Sequence, residues 1–311
     1  MKHDIIIIGG GPAGLTAAIY AARYNLNTIV LAKDLGQISK TPLIENYPGI
    51  DGIGGIELVT KMRKQVTTLK VPIKTGTAGK LEKTRNSFKI TTKEGEKYEA
   101  KTVILALGAH PKLLNIDGED TYSGKGISYC TTCDAPIFRD KTVAVIGGSN
   151  SAATSALHVS DFAKKVTIIY RGKELRAQPI LVDKIKKKKN IEIITKANVA
   201  ELKGDKMLTG VKLDNGQEIK LDGVFIEIGY LPSNELARQA GADTDKKGYV
   251  KVDKSQMTTV PGLFAAGDLT DANNNLKQIV IAAAQGAVAA NAIYSYLNHG
   301  SSQSDSEGQH W

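Results

Sequence analysis

Short apolar runs alternate with glycine-rich turns and alanine-rich stretches along this chain. Residues 4–8 form an apolar run of strand length, residues 9–14 a glycine turn, and an alanine-rich stretch continues to about Tyr24. A second apolar run follows at 28–31. Runs of this length predict buried strands, and the alanine-rich stretch predicts a helix. The order strand, glycine turn, helix, strand is typical of half a dinucleotide-binding βαβ unit.

The same pattern returns about 140 residues further along the chain. Residues 142–146 predict a strand, 147–152 a glycine turn, 153–162 a helix and 166–170 the next strand. Two such units suit two nucleotide-binding domains of ordinary size. The pattern therefore predicts an α/β fold with two Rossmann-like domains.

The remaining periodic segments extend both predicted domains. Further helices are predicted at 56–69, 179–188 and 278–297, and further strands at 87–92, 103–107, 191–195, 210–213, 223–228 and 263–268. The segment 299–311 is rich in Ser, Gln, Asp and Gly without periodicity, and predicts a disordered tail.

Composition narrows the class of protein. The chain has 311 residues, of which 41% are hydrophobic, and a formal net charge of +9 that is spread along the sequence. Spread charge with few aromatic residues does not favour a nucleic-acid partner. From the sequence we expect no apolar run near the ~18–20 residues that span a bilayer, and no leader before the first strand. We therefore expect a cytoplasmic protein without a membrane partner.

The first glycine turn has the spacing Gly9-x-Gly11-x-x-Gly14 between a predicted strand and a predicted helix. The first glycine allows the tight turn, the second lets the backbone approach a pyrophosphate, and the third lets helix and strand pack closely. The acid usually found ~20 residues later at the strand end is absent. Lys33 stands at that strand end, and Asp34 is the nearest acid.

The chain contains two cysteines, Cys130 and Cys133. A structural zinc site wants about four ligands, and no histidine cluster accompanies the pair, so we expect no metal. Thiols at this spacing are typical of a redox pair, in which one attacks and the other resolves the mixed disulfide. Asp134 follows directly and is a candidate acid or base.

Five segments together carry a resemblance to a known family. In chain order they are IIGGGPAGLTAA (7–18), ENYPG (45–49), CTTCD (130–134), GGSNSA (147–152) and AAGD (265–268). Their order and spacing resemble the low-molecular-weight thioredoxin reductases, class II of the pyridine nucleotide-disulfide oxidoreductases. The resemblance implies a discontinuous FAD-binding domain, 1–117 and 248–298, with an NAD(P)H-binding domain inserted at 118–247 that carries the cysteines.

The resemblance also implies residues for each cofactor. FAD would be held by Gly9, Gly11, Pro12, Ala13, Gly14, Lys33, Asp34, Gln37, Asn46, Gly108, Gly267, Asp268, Lys277, Gln278 and Ile279. The pyridine nucleotide would be held by Gly147, Gly148, Asn150, Ser151, Arg171 and Arg176.

The second nucleotide site departs from the family pattern. An NAD site would carry an acid after its second strand, to bond the ribose 2′-OH. This chain has Tyr170-Arg171-Gly172 and then Arg176 there. Two guanidinium groups and no acid favour NADPH, with NADH open as an alternative. Gly172 stands where the family has a further Arg, and Ser149 replaces a glycine of the turn. Tyr170 either packs or stacks on adenine.

The implied activity is thioredoxin-disulfide reduction. NADPH would reduce FAD, which would reduce the Cys130–Cys133 disulfide, and the dithiol would reduce thioredoxin or a glutaredoxin-like protein. The resemblance places Cys133 next to the flavin, makes Cys130 the attacking thiol and Asp134 the proton donor, and implies a homodimer. Alternatives are a dithiol oxidase or a ferredoxin-dependent reductase of the same fold, and a non-enzymatic flavin-binding redox sensor.

Overall fold

The apolar runs before the two glycine turns form central strands of two separate sheets, one mixed and one parallel. The computed structural model describes residues 2–41, 44–273 and 276–299. It is a mixed α/β fold, and the predicted fold class is confirmed. The predicted tail, 299–311, lies outside the described residues except for His299, where the last helix ends.

Seventeen strands occur in the described residues. In chain order they are β1 (Lys2–Ile8), β2 (Thr28–Ala32), β3 (Ile73–Thr75), β4 (Ala78–Lys83), β5 (Phe88–Thr92), β6 (Lys97–Leu105), β7 (Ala109–Pro111), β8 (Ile127–Ser128), β9 (Thr142–Ile146), β10 (Lys165–Tyr170), β11 (Ile191–Thr195), β12 (Val199–Gly204), β13 (Leu208–Leu213), β14 (Glu218–Lys220), β15 (Gly223–Ile226), β16 (Tyr230–Pro232) and β17 (Leu263–Ala265).

Eight α-helices connect these strands within the described ranges. They are α1 (Pro12–Arg23), α2 (Gly55–Thr68), α3 (Glu119–Tyr122), α4 (Thr131–Asp134), α5 (Asn150–Val159), α6 (Pro179–Lys187), α7 (Glu235–Gln239) and α8 (Ile279–His299). Short 3₁₀ helices occur at Gln37–Lys40, Ala135–Phe138, Gly267–Leu269 and Asp271–Asn273.

The first sheet has seven strands in the order β3-β2-β1-β6-β5-β4, with β17 also paired to β6. Strands β1, β2, β3, β6 and β17 are parallel, and β4 and β5 pair antiparallel. Ile5–Ile8 are almost completely buried. A parallel strand covered on both faces reads as a continuous apolar run, which explains the sequence of β1.

The second sheet has five parallel strands in the order β11-β10-β9-β15-β8. The chain winds from β9 through β10 to β11 on one side, and β15 lies on the other side of β9. The carboxyl ends of β9 and β15 therefore form a switch point, where open α/β sheets bind ligands. A three-stranded antiparallel sheet, β12-β13-β14, and a two-stranded sheet, β16-β7, complete the strands.

The chain divides into two compact units. The first takes the described residues of Met1–Ser39, Tyr47–His110 and Leu231–Trp311, and the second those of Lys40–Asn46 and Pro111–Tyr230. The first unit holds the first glycine turn, and the second holds the cysteines and the second turn. The domain limits expected at 117/118 and 247/248 stay a prediction.

Helix α8 corrects one expectation about apolar length. Its segment Ile279–Asn298 is long and apolar enough to cross a membrane by length and composition. Within the first unit, however, α8 packs closely on α1. The approach is so close at Gly286 that a Cβ built there would lie 2.1 Å from the Ala13 carbonyl oxygen. Of this segment, 33% is buried.

Several predicted bounds shift in the structure. Helix α5 begins at Asn150 instead of 153, because Ser149 in the turn already has the extended backbone of an N-cap residue. Strand β15 ends at Ile226 rather than 228. The short helices α3 and α4 were not predicted, since four residues are too few to show a helical period.

Candidate active site

The three glycines of the first turn have three different environments. A Cβ built on Gly9 would lie 2.2 Å from the Ala106 carbonyl oxygen, and one on Gly14 would lie 2.0 Å from the Gly9 carbonyl oxygen. A Cβ on Gly11 would meet no atom within 4 Å. Gly9 and Gly14 are therefore required by the protein itself, whereas Gly11 leaves an open cradle at the start of α1.

The N-terminus of α1 suits an anionic group. Gly11 is its N-cap residue, Pro12 is its first residue, and no acidic residue lies in its first turn. Among the described residues, no side chain caps its backbone N–H groups. Free N–H groups together with the helix dipole favour negative charge at this position. These residues fit the pyrophosphate of a dinucleotide such as FAD.

The loop after β2 lies beside this cradle. A Cβ built on Gly36 would be 3.5 Å from the Gly11 Cα. The Asp34 carboxylate accepts a hydrogen bond of 2.8 Å from the Gly36 N–H, so it stabilises its own loop. The Gln37 amide contacts Nδ1 of His110 at 2.6 Å. Lys33 and Asp34 are both exposed.

The turn after β17 reaches the same helix end. A Cβ on Gly267 would lie 3.1 Å from the Ala13 Cβ and 3.5 Å from the Ala282 Cβ. The Gly267 N–H donates to Oε1 of the buried Gln285 at 2.7 Å. The structure therefore brings the segments 9–14 and 267–268 together with α8, although more than half of the chain separates them.

Asp268 and Lys277 form a half-buried charged group with Tyr249. Burial raises the pKa of Asp268, and the nearby Lys277 charge offsets part of that shift. Burial also lowers the pKa of Lys277. The Lys277 ammonium lies 4.3 Å from the centre of the Tyr249 ring. Polar groups shifted toward their neutral forms at the end of a parallel sheet are typical of a ligand site.

Four other predicted flavin residues occupy separate places. Gly108 follows β6 with a φ of 66° and accepts a hydrogen bond from the Ser233 N–H at 3.1 Å. Ile279 begins α8, and the Gln278 carbonyl accepts from the Ala282 N–H at 3.0 Å. Asn46 lies in the segment Lys40–Asn46, which groups with the second unit. Their role in binding stays a prediction.

The two cysteines form a disulfide at the start of α4, with their Cα atoms 5.3 Å apart. Cys130 is the N-cap residue of this helix, and its Sγ accepts a hydrogen bond of 3.3 Å from the Cys133 N–H. Both residues are partly exposed. A helix N-terminus with a donated N–H stabilises negative charge on the capping sulfur, which lowers the pKa of a thiol.

Asp134 ends the same helix with one carboxylate oxygen unpaired. Ser128 donates a hydrogen bond of 2.7 Å to Asp134 Oδ2, while Oδ1 is buried and has no hydrogen-bond partner among the described residues. Burial raises the pKa of Asp134, and the bond from Ser128 offsets part of the shift. A carboxyl with a raised pKa, directly after a redox-active cysteine in the chain, is a candidate to supply a proton.

A second buried carboxyl lies on another side of the cysteine helix. Ser155 of α5 donates to Glu227 Oε1 at 2.8 Å, and its Oγ is 2.9 Å from Oγ1 of Thr131. Since the Ser155 hydrogen goes to Glu227, Thr131 donates to Ser155. Burial raises the pKa of Glu227, and the hydrogen bond from Ser155 and the nearby Thr131 hydroxyl oppose this shift. These hydrogen bonds join the first residue of α4 to the end of β15.

The second glycine turn lies at the switch point of the second sheet. Gly147 has a φ of 144°, and a Cβ there would lie 2.5 Å from the Glu227 carbonyl oxygen. Asn150 and Ser151 open α5, whose first turn has no acidic residue. Asn150 Oδ1 accepts from the Gln178 N–H at 2.8 Å, and the Gly148 carbonyl accepts from the Arg176 N–H at 2.7 Å. The loop after β10 is thereby tied to the turn.

Arg171 and Arg176 lie on that loop with exposed side chains. Neither guanidinium takes part in an ion pair within the described residues. Both are therefore available to an anionic ligand next to the N-terminus of α5.

The geometry agrees with what the chain is similar to. The family model of the pyridine nucleotide-disulphide oxidoreductases matches residues 3–286. The chain belongs to this family. Members of the family carry FAD and use a pyridine nucleotide, so the expected cofactor class is confirmed at the level of the family.

Solved structures of thioredoxin reductases are similar over nearly the whole chain. The enzyme from Streptococcus pyogenes has a TM-score of 0.88 and 38% identity, covering 96% of this chain and 99% of that one. The enzyme from Giardia duodenalis has a TM-score of 0.85 and 32% identity, covering 95% and 99%. The resemblance to the low-molecular-weight thioredoxin reductases is confirmed.

A curated relative has a different name. Alkyl hydroperoxide reductase F of Staphylococcus aureus (strain MRSA252) is 37% identical over 302 residues, which are 95% of this chain. This chain spans 59% of the length of that relative. The comparisons therefore support the oxidoreductase class, and the substrate has to be argued from the site.

Six residues of these arrangements were not found from the sequence. They are Ser128, Thr131, Ser155, Glu227, Tyr249 and Gln285, each of which contacts a predicted site residue or supports one through another side chain. The position of Glu227 directly after the strand beside β9 was the one available signal, because a switch point lies at such strand ends.

Proposed function

We propose that this protein is an FAD-dependent reductase that takes electrons from NADPH and reduces a disulfide of a thioredoxin-like protein. The observation that carries the proposal is the Cys130–Cys133 disulfide on the same short helix as Asp134, whose Oδ1 is buried and unpaired among the described residues. A disulfide gains two electrons and two protons when it becomes a dithiol. The site holds both the acceptor of the electrons and a carboxyl suited to supply a proton.

The residues of the first unit fit FAD. The open cradle at Gly11 and the uncapped start of α1 suit its pyrophosphate, and Asp268 and Lys277 supply further polar groups in the same unit. When bound, FAD supplies two-electron transfer between a nicotinamide and a disulfide. The protein's own part is to bind and orient these groups and to manage protons.

The reduced cysteine pair then transfers its two electrons to the partner disulfide by thiol–disulfide exchange. In the reduced state the N-terminus of α4 stabilises the Cys130 thiolate, which attacks one sulfur of the partner disulfide. A mixed disulfide forms and one partner thiolate leaves. The Cys133 thiol, once deprotonated, attacks Cys130 Sγ, which restores the Cys130–Cys133 bond and releases the second partner thiolate. Two protons complete the two partner thiols.

The electron donor follows from the second glycine turn. Arg171 and Arg176 supply guanidinium groups that bond a phosphate well, and strand β10 ends in Tyr170 instead of an acid. A ribose 2′-phosphate suits this end of the site better than a 2′-OH, because the latter is usually bonded by a carboxylate. NADPH is therefore the proposed donor, and NADH is the alternative to be tested.

The partner, the assembly and the location are also part of the proposal. A thioredoxin or glutaredoxin-like disulfide is the expected substrate, and a homodimer in the cytoplasm is the expected form. A cytoplasmic setting agrees with the cysteine usage, since a reducing compartment suits a catalytic disulfide better than a structural one. The similarity to alkyl hydroperoxide reductase F supports a second partner class, a peroxidase with a reducible disulfide.

The test mixes the FAD-loaded protein with NADPH or NADH under anaerobic conditions and follows the visible flavin absorbance. Thioredoxin is then added, and its new thiols are counted. We expect bleaching by NADPH and then one dithiol per thioredoxin. Absence of bleaching by both nucleotides would remove the proposed donor and favour the ferredoxin-dependent alternative. In a separate aerobic assay with a dithiol as the electron source, oxygen consumption that needs no nucleotide would favour the oxidase.

Two variants assign the dithiol. Cys130→Ser should abolish thioredoxin reduction while FAD binding and bleaching by NADPH persist. Thr132→Ala is the matched control, because Thr132 lies exposed between the cysteines, and it should retain both steps. Thioredoxin reduction by the Cys130→Ser variant at the wild-type rate would refute the assigned dithiol. Bleaching of the wild-type protein without any reduction of a partner disulfide would leave only a flavin-binding sensor.

A further inference from the structure

The ring of Tyr170 lies between two glycines at the second nucleotide site. Tyr170 is the last residue of β10. A Cβ built on Gly148 would lie 2.4–2.5 Å from the inner ring atoms Cγ, Cδ1 and Cδ2. A Cβ built on Gly172 would lie 2.5 Å from Cε1, 2.8 Å from Cζ and 3.0 Å from the hydroxyl oxygen. The ring therefore fills the space that a side chain at either position would need.

Space is the reason for glycine at both positions. Neither Gly148 nor Gly172 has a positive φ, whereas sixteen other glycines among the described residues do. Any residue could adopt the backbone conformation of these two. A larger residue at 148 or 172 would therefore be opposed by steric overlap with the Tyr170 ring and not by its backbone conformation. Because the contacts at Gly172 involve the outer end of the ring, a side chain there has to displace the tyrosine.

The ring also occupies the position where dinucleotide folds distinguish their ligands. The residue at the end of the second strand reads the 2′ position of the adenosine ribose, and Tyr170 stands there on β10. The hydrogen bond from the Arg176 N–H to the Gly148 carbonyl keeps the loop after β10 against the glycine turn. The phenol has no charge to offer a phosphate, so recognition of charge falls to the two arginines of the loop.

We propose that Tyr170 and Gly172 form one coupled specificity element, in which the ring excludes a side chain at 172 and leaves a 2′-phosphate to Arg171 and Arg176. The proposal rests on the proposed use of a pyridine nucleotide. Arginine introduced at 172 alone gains no phosphate contact, because it has to displace the ring that it meets. A shorter ring at 170 removes the Cζ and hydroxyl contacts, two of the three contacts that a Cβ at 172 would meet, and the two changes together add a third guanidinium.

Histidine is the informative replacement at position 170. Its five-membered ring keeps atoms near those that contact Gly148, but it is shorter and lacks the hydroxyl that approaches Gly172. Tyr170→His should therefore preserve the packing on the glycine turn. The pair Tyr170→His and Gly172→Arg should act together, with an effect that is not the product of the two single effects.

The experiment measures binding of 2′,5′-ADP and 5′-AMP to the oxidised FAD-loaded protein by isothermal titration calorimetry. These probes differ by the 2′-phosphate and undergo no redox reaction. Wild type, Tyr170→His, Gly172→Arg and the double variant are compared, with Gln217→Arg as a control that adds the same charge at an exposed turn of the same unit. Thermal unfolding is recorded for each protein.

Gly172→Arg alone should leave the preference for 2′,5′-ADP within about twofold of wild type and lower the melting temperature. The double variant should bind 2′,5′-ADP about tenfold more tightly than wild type, as one more charged hydrogen bond provides, and recover most of the thermal loss. Binding of 5′-AMP should change little in the double variant.

An equal gain in 2′,5′-ADP affinity from Gly172→Arg alone and from the double variant would overturn the coupling while leaving the proposed function intact. If wild type bound neither probe, the nucleotide part of the proposed function would fail and the specificity element with it. If both probes bound with the expected coupling but no thioredoxin were reduced, the specificity element would stand and the proposed substrate would fail.

Discussion

The Ser155 hydroxyl donates a hydrogen bond of 2.8 Å to Oε1 of Glu227, across 72 positions of sequence. Ser155 in turn accepts from Thr131, the first residue of the cysteine helix. A carboxyl from the end of β15 therefore supports the disulfide through two hydroxyls. The arrangement makes Glu227 a positioning residue, since its carboxyl acts on the helix through other side chains.

Glu227→Gln should change how the stability of the protein depends on pH. The folded-state pKa of Glu227 lies above its ordinary value of 4.5 because of burial. The folded protein then holds this proton more tightly than the unfolded chain, so the stabilisation is complete below about pH 4.5 and is lost as pH rises through the folded pKa. Glutamine does not titrate, and that decline should disappear from urea unfolding curves followed by circular dichroism.

The comparison needs a carboxyl without such contacts. Glu174→Gln is the matched control, because Glu174 lies exposed in the same unit, and its curve should follow wild type. Other shifted carboxyls contribute equally to wild type and variants, so the difference between proteins isolates Glu227. A Glu227→Gln protein whose stability falls with pH as steeply as wild type would contradict the assignment.

Gly11→Ala should separate cofactor binding from folding. A Cβ at Gly11 meets no protein atom within 4 Å, and its φ is −85°, so the protein without FAD should unfold at the wild-type urea concentration. The methyl group enters the space proposed for the pyrophosphate. Overpacking of this kind costs about 1–3 kcal/mol, which corresponds to about tenfold weaker FAD binding or more, measured by equilibrium titration of the apoprotein.

Gly9→Ala provides the contrast within the same turn. Its Cβ would lie 2.2 Å from the Ala106 carbonyl oxygen, at a φ of 124°. This variant should lose about 1–3 kcal/mol of stability even without FAD. If Gly11→Ala bound FAD as tightly as wild type, the cradle would not be the pyrophosphate site.

The glycine turns show what sequence spacing can and cannot predict. The spacing of Gly9, Gly11 and Gly14 predicted three different demands on the backbone, and three different environments are found. The three glycines lie within six consecutive residues, so a local sequence pattern is enough to predict their environments. The pairing of Ser155 with Glu227 depends on which strand lies beside β9, and no local pattern contains that information.

The second nucleotide site also contains a contact that the sequence did not predict. The sequence indicated that Gly172 lacks the arginine of the family pattern, and the missing charge was the only consequence it suggested. The structure adds that the Tyr170 ring fills the space at 172. Two residues that are neighbours along the chain thus become interdependent through packing against Gly148, which lies 22 positions earlier.

Asp134→Asn should slow formation of the dithiol without affecting reduction of the flavin. Asparagine keeps the shape of Asp134 and its contact with Ser128, but it has no acidic proton to give. General acid catalysis contributes about 10²–10⁴-fold, so we expect a loss of about a hundredfold. The rate is measured by quenching NADPH-reduced protein at intervals with a maleimide and counting modified cysteines.

The exposed residue Asp205 of the same unit supplies the control, and Asp205→Asn should form the dithiol at the wild-type rate. The pH profile gives a second readout. Because burial raises the pKa of Asp134 above its ordinary value of 3.8, the wild-type rate should fall as pH rises through the shifted pKa, and the variant should lose this dependence. An unchanged rate and profile would exclude Asp134 as the proton donor.

Tyr129→Phe tests the support behind the residue that precedes Cys130. The Tyr129 hydroxyl donates to Oε1 of the buried Glu119 at 2.8 Å, and Glu119 also accepts from the backbone N–H groups of Leu114 and Asn115. Loss of one hydrogen bond to a buried carboxylate costs about 1.5–3 kcal/mol. We expect that loss in urea unfolding near pH 8.

The same variant makes a prediction at alkaline pH. Burial first, and then the bond to Glu119, raises the pKa of Tyr129 above its ordinary value of 10. The advantage of wild type over Tyr129→Phe should therefore be constant below pH 10 and decline as pH rises from there toward the folded pKa. Tyr122→Phe is the control, because Tyr122 is also buried in the second unit and its hydroxyl makes no hydrogen bond within the described residues. An equal loss in both variants would show that the Glu119 bond contributes nothing specific.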